Sequence, residues 1–159
     1  MESRKQLRLI LSVIILALLF YVAVQVFSEN DEARIRRVVN LCILAVEKED
    51  TPGYSRFISQ SYQDSYGNTK AGLLVILADN FKEYKPFKVD VKQLSIKTEE
   101  SKGQAGIAFK CYFKRMGDKQ IYYDAGKAKI YFQKEEKSWK VTNIEYKGSS
   151  EMLFLPTVA

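Results

Sequence analysis

The chain has 159 residues, with 25 lysines and arginines against 19 aspartates and glutamates, and no histidine. That length suits one domain of ordinary size plus an appendage. The missing histidine removes the usual general base, the usual transition-metal ligand and every Ser–His or Cys–His nucleophile pair.

The appendage is at the start. Leu9 to Phe27, LILSVIILALLFYVAVQVF, has only Ser12 and Gln25 as polar members. A spanning helix needs about 20 apolar residues at 1.5 Å each to cross roughly 30 Å of hydrocarbon. Residues 9–27 are therefore expected as a transmembrane anchor in contact with membrane lipid, with Arg8 able to snorkel. A cleaved signal is the alternative, but its apolar run would be about 7–15 residues, and AVQVFSEN offers a poor cleavage site. Arg4, Lys5 and Arg8 precede the span, whereas Arg34, Arg36 and Arg37 beyond it are mixed with Glu29, Asp31 and Glu32. The positive-inside rule then keeps residues 1–8 in the cytoplasm and sends the rest outside, as a single-pass protein of the cell membrane. Beyond the span the lysines are scattered over what reads as a solvated surface tolerant of anionic headgroups. No basic stripe or motif for nucleic acid is present, and no nucleic-acid partner is expected.

ENDEARIRRVVNLCILAVEKED places Ile35, Val38, Val39, Cys42, Ala45 and Val46 on one helical face, with Asn30 or Asp31 as the cap. DTPGYSRFISQSY predicts a short second helix, capped by Thr51 with Pro52 in the first position, that buries Phe57, Ile58 and Tyr62. A turn at Tyr66-Gly67 leads to a third helix capped by Asn68 or Thr69. Its inward residues are Leu73, Leu74, Leu77 and Phe81, and Lys85-Pro86 stops it.

From Phe87 the period becomes two. Phe87, Val89 and Val91 share one face, then Leu94 and Ile96 take the other parity, which predicts a bulge. Ala105, Ile107, Phe109, Cys111 and Phe113 share a face, as do Tyr122, Asp124, Gly126, Ala128, Ile130 and Phe132. In SWKVTNIEY, Trp139 and Val141 give way to Ile144 and Tyr146, a second bulge. Three helices followed by four antiparallel strands make an α+β domain, with helices packed on one face of a curved sheet. It spans residues 28–147. In the tail, 148–159, the apolar run Met152 to Leu155 is expected to fold back over a sheet edge or a helix, or else to meet a partner.

In order and spacing, the first helix, FISQSYQDSYGNTKAG, FKVDVKQLSIK and SWKVTNIEY resemble the nuclear transport factor 2-like superfamily, the ketosteroid-isomerase-like and cystatin-like cone fold, from about Asn30 to Tyr146. The resemblance implies a pocket between helices and sheet. It covers small isomerases and dehydratases, polyketide cyclases, non-catalytic binding domains and bitopic proteins with a periplasmic domain of this fold. The layout is similar to that of the assembly factors of type IV secretion systems. Enzymes of the ketosteroid-isomerase type use pocket carboxylates and a tyrosine, which needs no histidine.

On that pattern Asp124 is the inward carboxylate, with Tyr122 and Gly126 beside it as ligand-pocket residues and Tyr62 or Tyr112 as phenolic donor. The full isomerase pattern is not matched. In SYQDSYGNTKAG, Tyr62 falls on an apolar side, Gly67 allows a positive-φ turn and Asp64 can accept backbone N–H groups, so this stretch reads as punctuation. The expected function is a bitopic membrane protein whose extracytoplasmic domain is a non-catalytic protein-binding or self-association module of an envelope complex, with a protein partner or a second copy. A membrane-tethered small-ligand binder, or an isomerase or dehydratase using a pocket carboxylate and tyrosine, is the alternative. No metal or other cofactor is expected. Cys42 and Cys111 both fall on core faces, and no bridge between them is expected.

Overall fold

A computed structural model describes residues 14–18 and 30–148. Residues 14–18 are helical with exposed side chains, and lie in a unit, Met1–Asn30, distinct from Asp31–Ala159. Among the described residues no helix is long and apolar enough to cross a membrane. The rest of the expected span at 9–27, the cytoplasmic segment 1–8 and the tail after Gly148 lie outside the described residues.

Between Asp31 and Gly148 the chain runs through α1 (Asp31–Glu47), α2 (Thr51–Ser55), α3 (Lys70–Glu83), β1 (Lys88–Glu99), β2 (Lys102–Phe113), β3 (Tyr122–Glu135) and β4 (Ser138–Gly148). The helical spacing of α1 buries Ile35, Val38, Val39 and Ala45, and the acidic Asp31 and Glu32 fall in its first turn, where the helix dipole favours them. Asp31 also fixes the start of α1 to the sheet. Its carboxylate accepts Lys134 Nζ at 2.9 and 3.1 Å and Trp139 Nε1 at 3.0 Å. The Lys134 hydrogen bond leads in holding the Asp31 carboxyl below its ordinary range.

Asp50, not Thr51, caps α2: its Oδ1 accepts the Gly53 N–H at 2.8 Å. Asp50→Ala is expected to cost about 1 kcal/mol, read as a lower urea midpoint at unchanged slope. The helix also ends earlier than its sequence suggests, because the next backbone groups bond to β4. Val141 N–H donates to the Phe57 carbonyl at 2.8 Å, Ser59 N–H to the Val141 carbonyl at 2.8 Å, and Gln63 N–H to the Thr142 carbonyl at 3.0 Å. A continued helix would forfeit these bonds. Ile58 and Tyr62 are still buried, brought inward by a non-helical path. Thr69 caps α3, accepting the Gly72 N–H at 3.5 Å, and Leu73, Leu77 and Phe81 face the core.

The four strands form one antiparallel sheet in the order β1-β2-β3-β4. Its register shifts between Val91 and Gln93, and again where Tyr131 and Phe132 meet Asn143 and Val141. These are the two places where the hydrophobic parity switches, and bulges there bend the strands. The inner face carries Ala105, Ile107, Cys111, Phe113, Phe132, Trp139 and Val141 against the helices. Gly103 lets α1 come close: a Cβ there would lie 2.3 Å from Ile35 Cδ1.

Candidate functional site

Between the helices and the inner sheet face lies a partly open cavity of about 150 Å³. Its wall is mostly aliphatic and aromatic, with Val39, Leu77, Phe81, Ile107, Phe109 and Ile130 among its members. The polar groups that reach it are Tyr54, Tyr62, Asp64, Tyr66, Asn80, Tyr146 and the free thiols of Cys42 and Cys111. Burial pushes the Cys42 thiol up to about 12. Burial, helped by the charge of Asp124, does the same to Cys111.

Asp64 is a carboxylate on this wall, and its acceptor capacity is taken up by the turn that it organises. Oδ1 accepts the N–H groups of Tyr66 at 3.0 Å and Asn68 at 2.9 Å. Oδ2 accepts Asn68 Nδ2 at 3.0 Å and the Tyr62 hydroxyl at 3.5 Å. Four donors fill the roughly four lone-pair directions of a carboxylate. Gly67 follows at φ +84°, a conformation that suits glycine. The segment 61–72 is thus a built turn, with Tyr62 buried beneath it. Burial first, then the Asp64 charge, raises the Tyr62 phenol above its ordinary range.

Asp124 is only 1 % exposed. It stands on β3 opposite Cys111 and accepts a short hydrogen bond from the Tyr146 hydroxyl on its Oδ2. Tyr146 pairs with Ala128 in register, so its ring must run back along β3 to reach Asp124. Gly126 makes that path possible: a Cβ there would sit 2.8 Å from Tyr146 Cε2. The Phe109 ring backs the phenol at 6.1 Å. Burial, then the Asp124 hydrogen bond and charge, raise the Tyr146 phenol.

The candidates read from sequence are therefore only partly brought together. Asp124 points inward as its parity requires, but Tyr146, not Asp124, is on the cavity wall. Tyr62 lines the cavity and bonds to Asp64 rather than Asp124. Tyr112 does not serve as a pocket phenol: it pairs with Tyr123, ring centroids 6.3 Å apart, on the opposite face of the sheet from Cys111 and Asp124. Tyr122 donates to Asp118 Oδ2 at 2.5 Å and stacks on Phe113, and Gly126 is covered by Tyr146. None of Tyr122, Asp124 and Gly126 lines the cavity. The residue that sequence reasoning missed is Tyr146. Its inward parity with Ile144 was legible, whereas its partner depended on the register of β4. Among the described residues no group of three or more Cys, Asp or Glu side chains could hold a metal ion.

No family model and no curated protein matches the sequence. Solved structures do match the fold. A nuclear transport factor 2-like superfamily protein from Salmonella enterica superposes with a TM-score of 0.64 at 14% identity, covering 76% of this chain and 92% of its own. A ketosteroid isomerase-like protein from Erwinia carotovora gives 0.63 at 14% identity, covering 78% and 99%. A protein with a cystatin-like fold from Nostoc punctiforme gives 0.59 at 13% identity, covering 76% and 92%. The chain has the nuclear transport factor 2-like cone fold. At these identities the likeness is one of fold alone.

Proposed function

We propose that the cone domain is a non-catalytic binding module, held outside the cytoplasm by an anchor at residues 9–27, and that it seats an apolar side chain of a protein partner or second copy within an envelope complex. The observation that carries this reading is the chemistry of the cavity wall. Of the two carboxylates near it, Asp64 is filled by its own turn, and Asp124 lies behind the Tyr146 phenol that it binds. An acid or base poised for substrate is what an isomerase would need at that wall.

Size supports the same reading. Pockets for small-molecule ligands run to about 300–1,000 Å³. The cavity here, about 150 Å³, matches the volume of an engineered apolar cavity that takes a benzene ring. A single aromatic or branched aliphatic side chain fits it.

Filling the cavity from within is the test. Ala128 is on the cavity wall, so Ala128→Phe is expected to keep the fold and to abolish any complex that the wild-type chain forms when solubilised from membranes in mild detergent. A wild-type chain that sediments strictly as a monomer, with no retained partner, overturns the proposal. The alternative, a tethered small-ligand binder or an isomerase or dehydratase, draws on one observation: a phenol on the wall backed by a buried carboxylate. Loss of ligand binding or turnover in a folded Asp124→Asn variant would favour it.

A further inference from the structure

The outer face of the sheet carries exposed side chains. Cross-strand register puts Gln93, Ala108, Lys127 and Lys147 in one row, and Ser95, Gly106, Lys129 and Glu145 in the next. Gly106 and Ala108 floor a trough of about 640 Å³ walled by the three lysines. Lys127, Lys129 and Lys147 are exposed, and among the described residues none of them forms an ion pair. Glu145, the acidic member of these rows, instead accepts the Tyr131 hydroxyl at 3.0 Å.

At one end this face meets the hairpin between β2 and β3, where Met116, Ile121 and Tyr123 are 56%, 61% and 65% exposed. The hairpin is braced rather than frayed. Met116 N–H donates to the Glu83 carbonyl at 2.8 Å and Arg115 pairs with the Glu83 carboxylate at 3.2 Å. Asp118 accepts the Gln120 N–H at 3.0 Å and the Tyr122 hydroxyl at 2.5 Å. The apolar side chains are thus held outward, and the Lys110 ammonium lies 5.5 Å above the Tyr123 ring.

A clustered apolar tip marks an interaction surface, and the lysine rows beside it constrain the partner. A two-fold contact with its axis through these rows would bring the three lysines up against the same three lysines of the second copy. Protein interfaces in general are depleted of lysine. An anionic bilayer satisfies both halves: apolar and tyrosine side chains enter the interface while basic residues meet the headgroups. We propose that the outer sheet face and the hairpin tip dock on an anionic phospholipid bilayer. The proposal is independent of the cavity and of whether residues 9–27 span a membrane.

The test uses the full chain as Ile121→Cys, labelled with an environment-sensitive nitrobenzoxadiazole probe, and the parent chain treated alike as background. Vesicles are phosphatidylcholine alone or mixed with phosphatidylglycerol. A blue-shifted rise in emission is expected with the anionic vesicles only, and should fade at 1 M salt, where the screening length is about 3 Å. With each lysine worth roughly fivefold at an anionic surface, the variant Lys127→Gln/Lys129→Gln/Lys147→Gln is expected to lower the docked-to-undocked ratio roughly a hundredfold. Its Trp139 emission should be unchanged, showing an intact fold. Equal emission in both lipids, while the chain sediments with both, overturns the docking and leaves the tether standing. Sedimentation with neither overturns both. A rise that appears without vesicles and grows with protein concentration assigns the face to a second copy instead.

Discussion

Tyr146→Phe is expected to destabilise the domain by about 2 kcal/mol, the typical worth of a hydrogen bond to a charged group. At roughly 4 °C per kcal/mol for a domain of this size, the melting temperature should fall by about 8 °C. The cause is the acceptor. Asp124 is 1 % exposed, and the Tyr146 hydroxyl donates to its Oδ2; phenylalanine keeps the ring over Gly126 and removes only that donor. Solvent offers little compensation at such a site, whereas on the surface it does. Tyr131 makes a hydrogen bond of similar kind to Glu145 at 3.0 Å, but an exposed one. Tyr131→Phe should therefore change stability by no more than about 0.5 kcal/mol. Equal melting of the two variants would mean that Asp124 does not depend on Tyr146, and the second reading of the site would lose its phenol as well.

Burial was more legible in the sequence than partnership, for a physical reason. Which residues face inward depends only on local periodicity, so α1, α3 and the inner faces of β2 and β3 could be read from spacing alone. The bulges were legible too, since a parity switch from Val91 to Leu94 and from Val141 to Ile144 cannot occur on a straight strand with one buried face. Partners of polar groups depend on register and on the path of the chain between elements. Asp124 finds Tyr146 because the second bulge sets β4 against β3 and Gly126 clears the way. No local pattern encodes that. The end of α2 is hidden from local pattern for a related reason: Phe57 to Gln63 carries a helix-compatible pattern, but backbone groups of β4 at its bulge bond to this segment. Of the two phenols that the sequence offers as donor, Tyr62 or Tyr112, the parity of Tyr112, opposite to Cys111, places it on the outer face.

Above about pH 8.5 the domain is expected to lose stability steeply. Thiols of an unfolded chain release their protons near 8.5, while Cys42 and Cys111 in the folded domain are held at about 12. Below about 8.5 both states keep these protons and the full stability is present. Between about 8.5 and 12 the unfolded state alone gives them up, so stability falls as pH rises, by about 1.4 kcal/mol per pH unit for each thiol. Above about pH 10, where unfolded phenols ionise, Tyr54, Tyr62 and Tyr146 add to the slope, each raised first by burial. Against a typical total of about 5–15 kcal/mol, the two thiols alone would exhaust much of the margin within a few pH units. Urea midpoints measured from pH 7 to 10.5 under reducing conditions should show this decline, and Cys42→Ala/Cys111→Ala should delay its onset to about pH 10. The same profile decides the state of the cysteines in the chain as purified without reductant. Free thiols give the early onset there too; a bridge would leave nothing to titrate, and the profile would then coincide with that of the double variant.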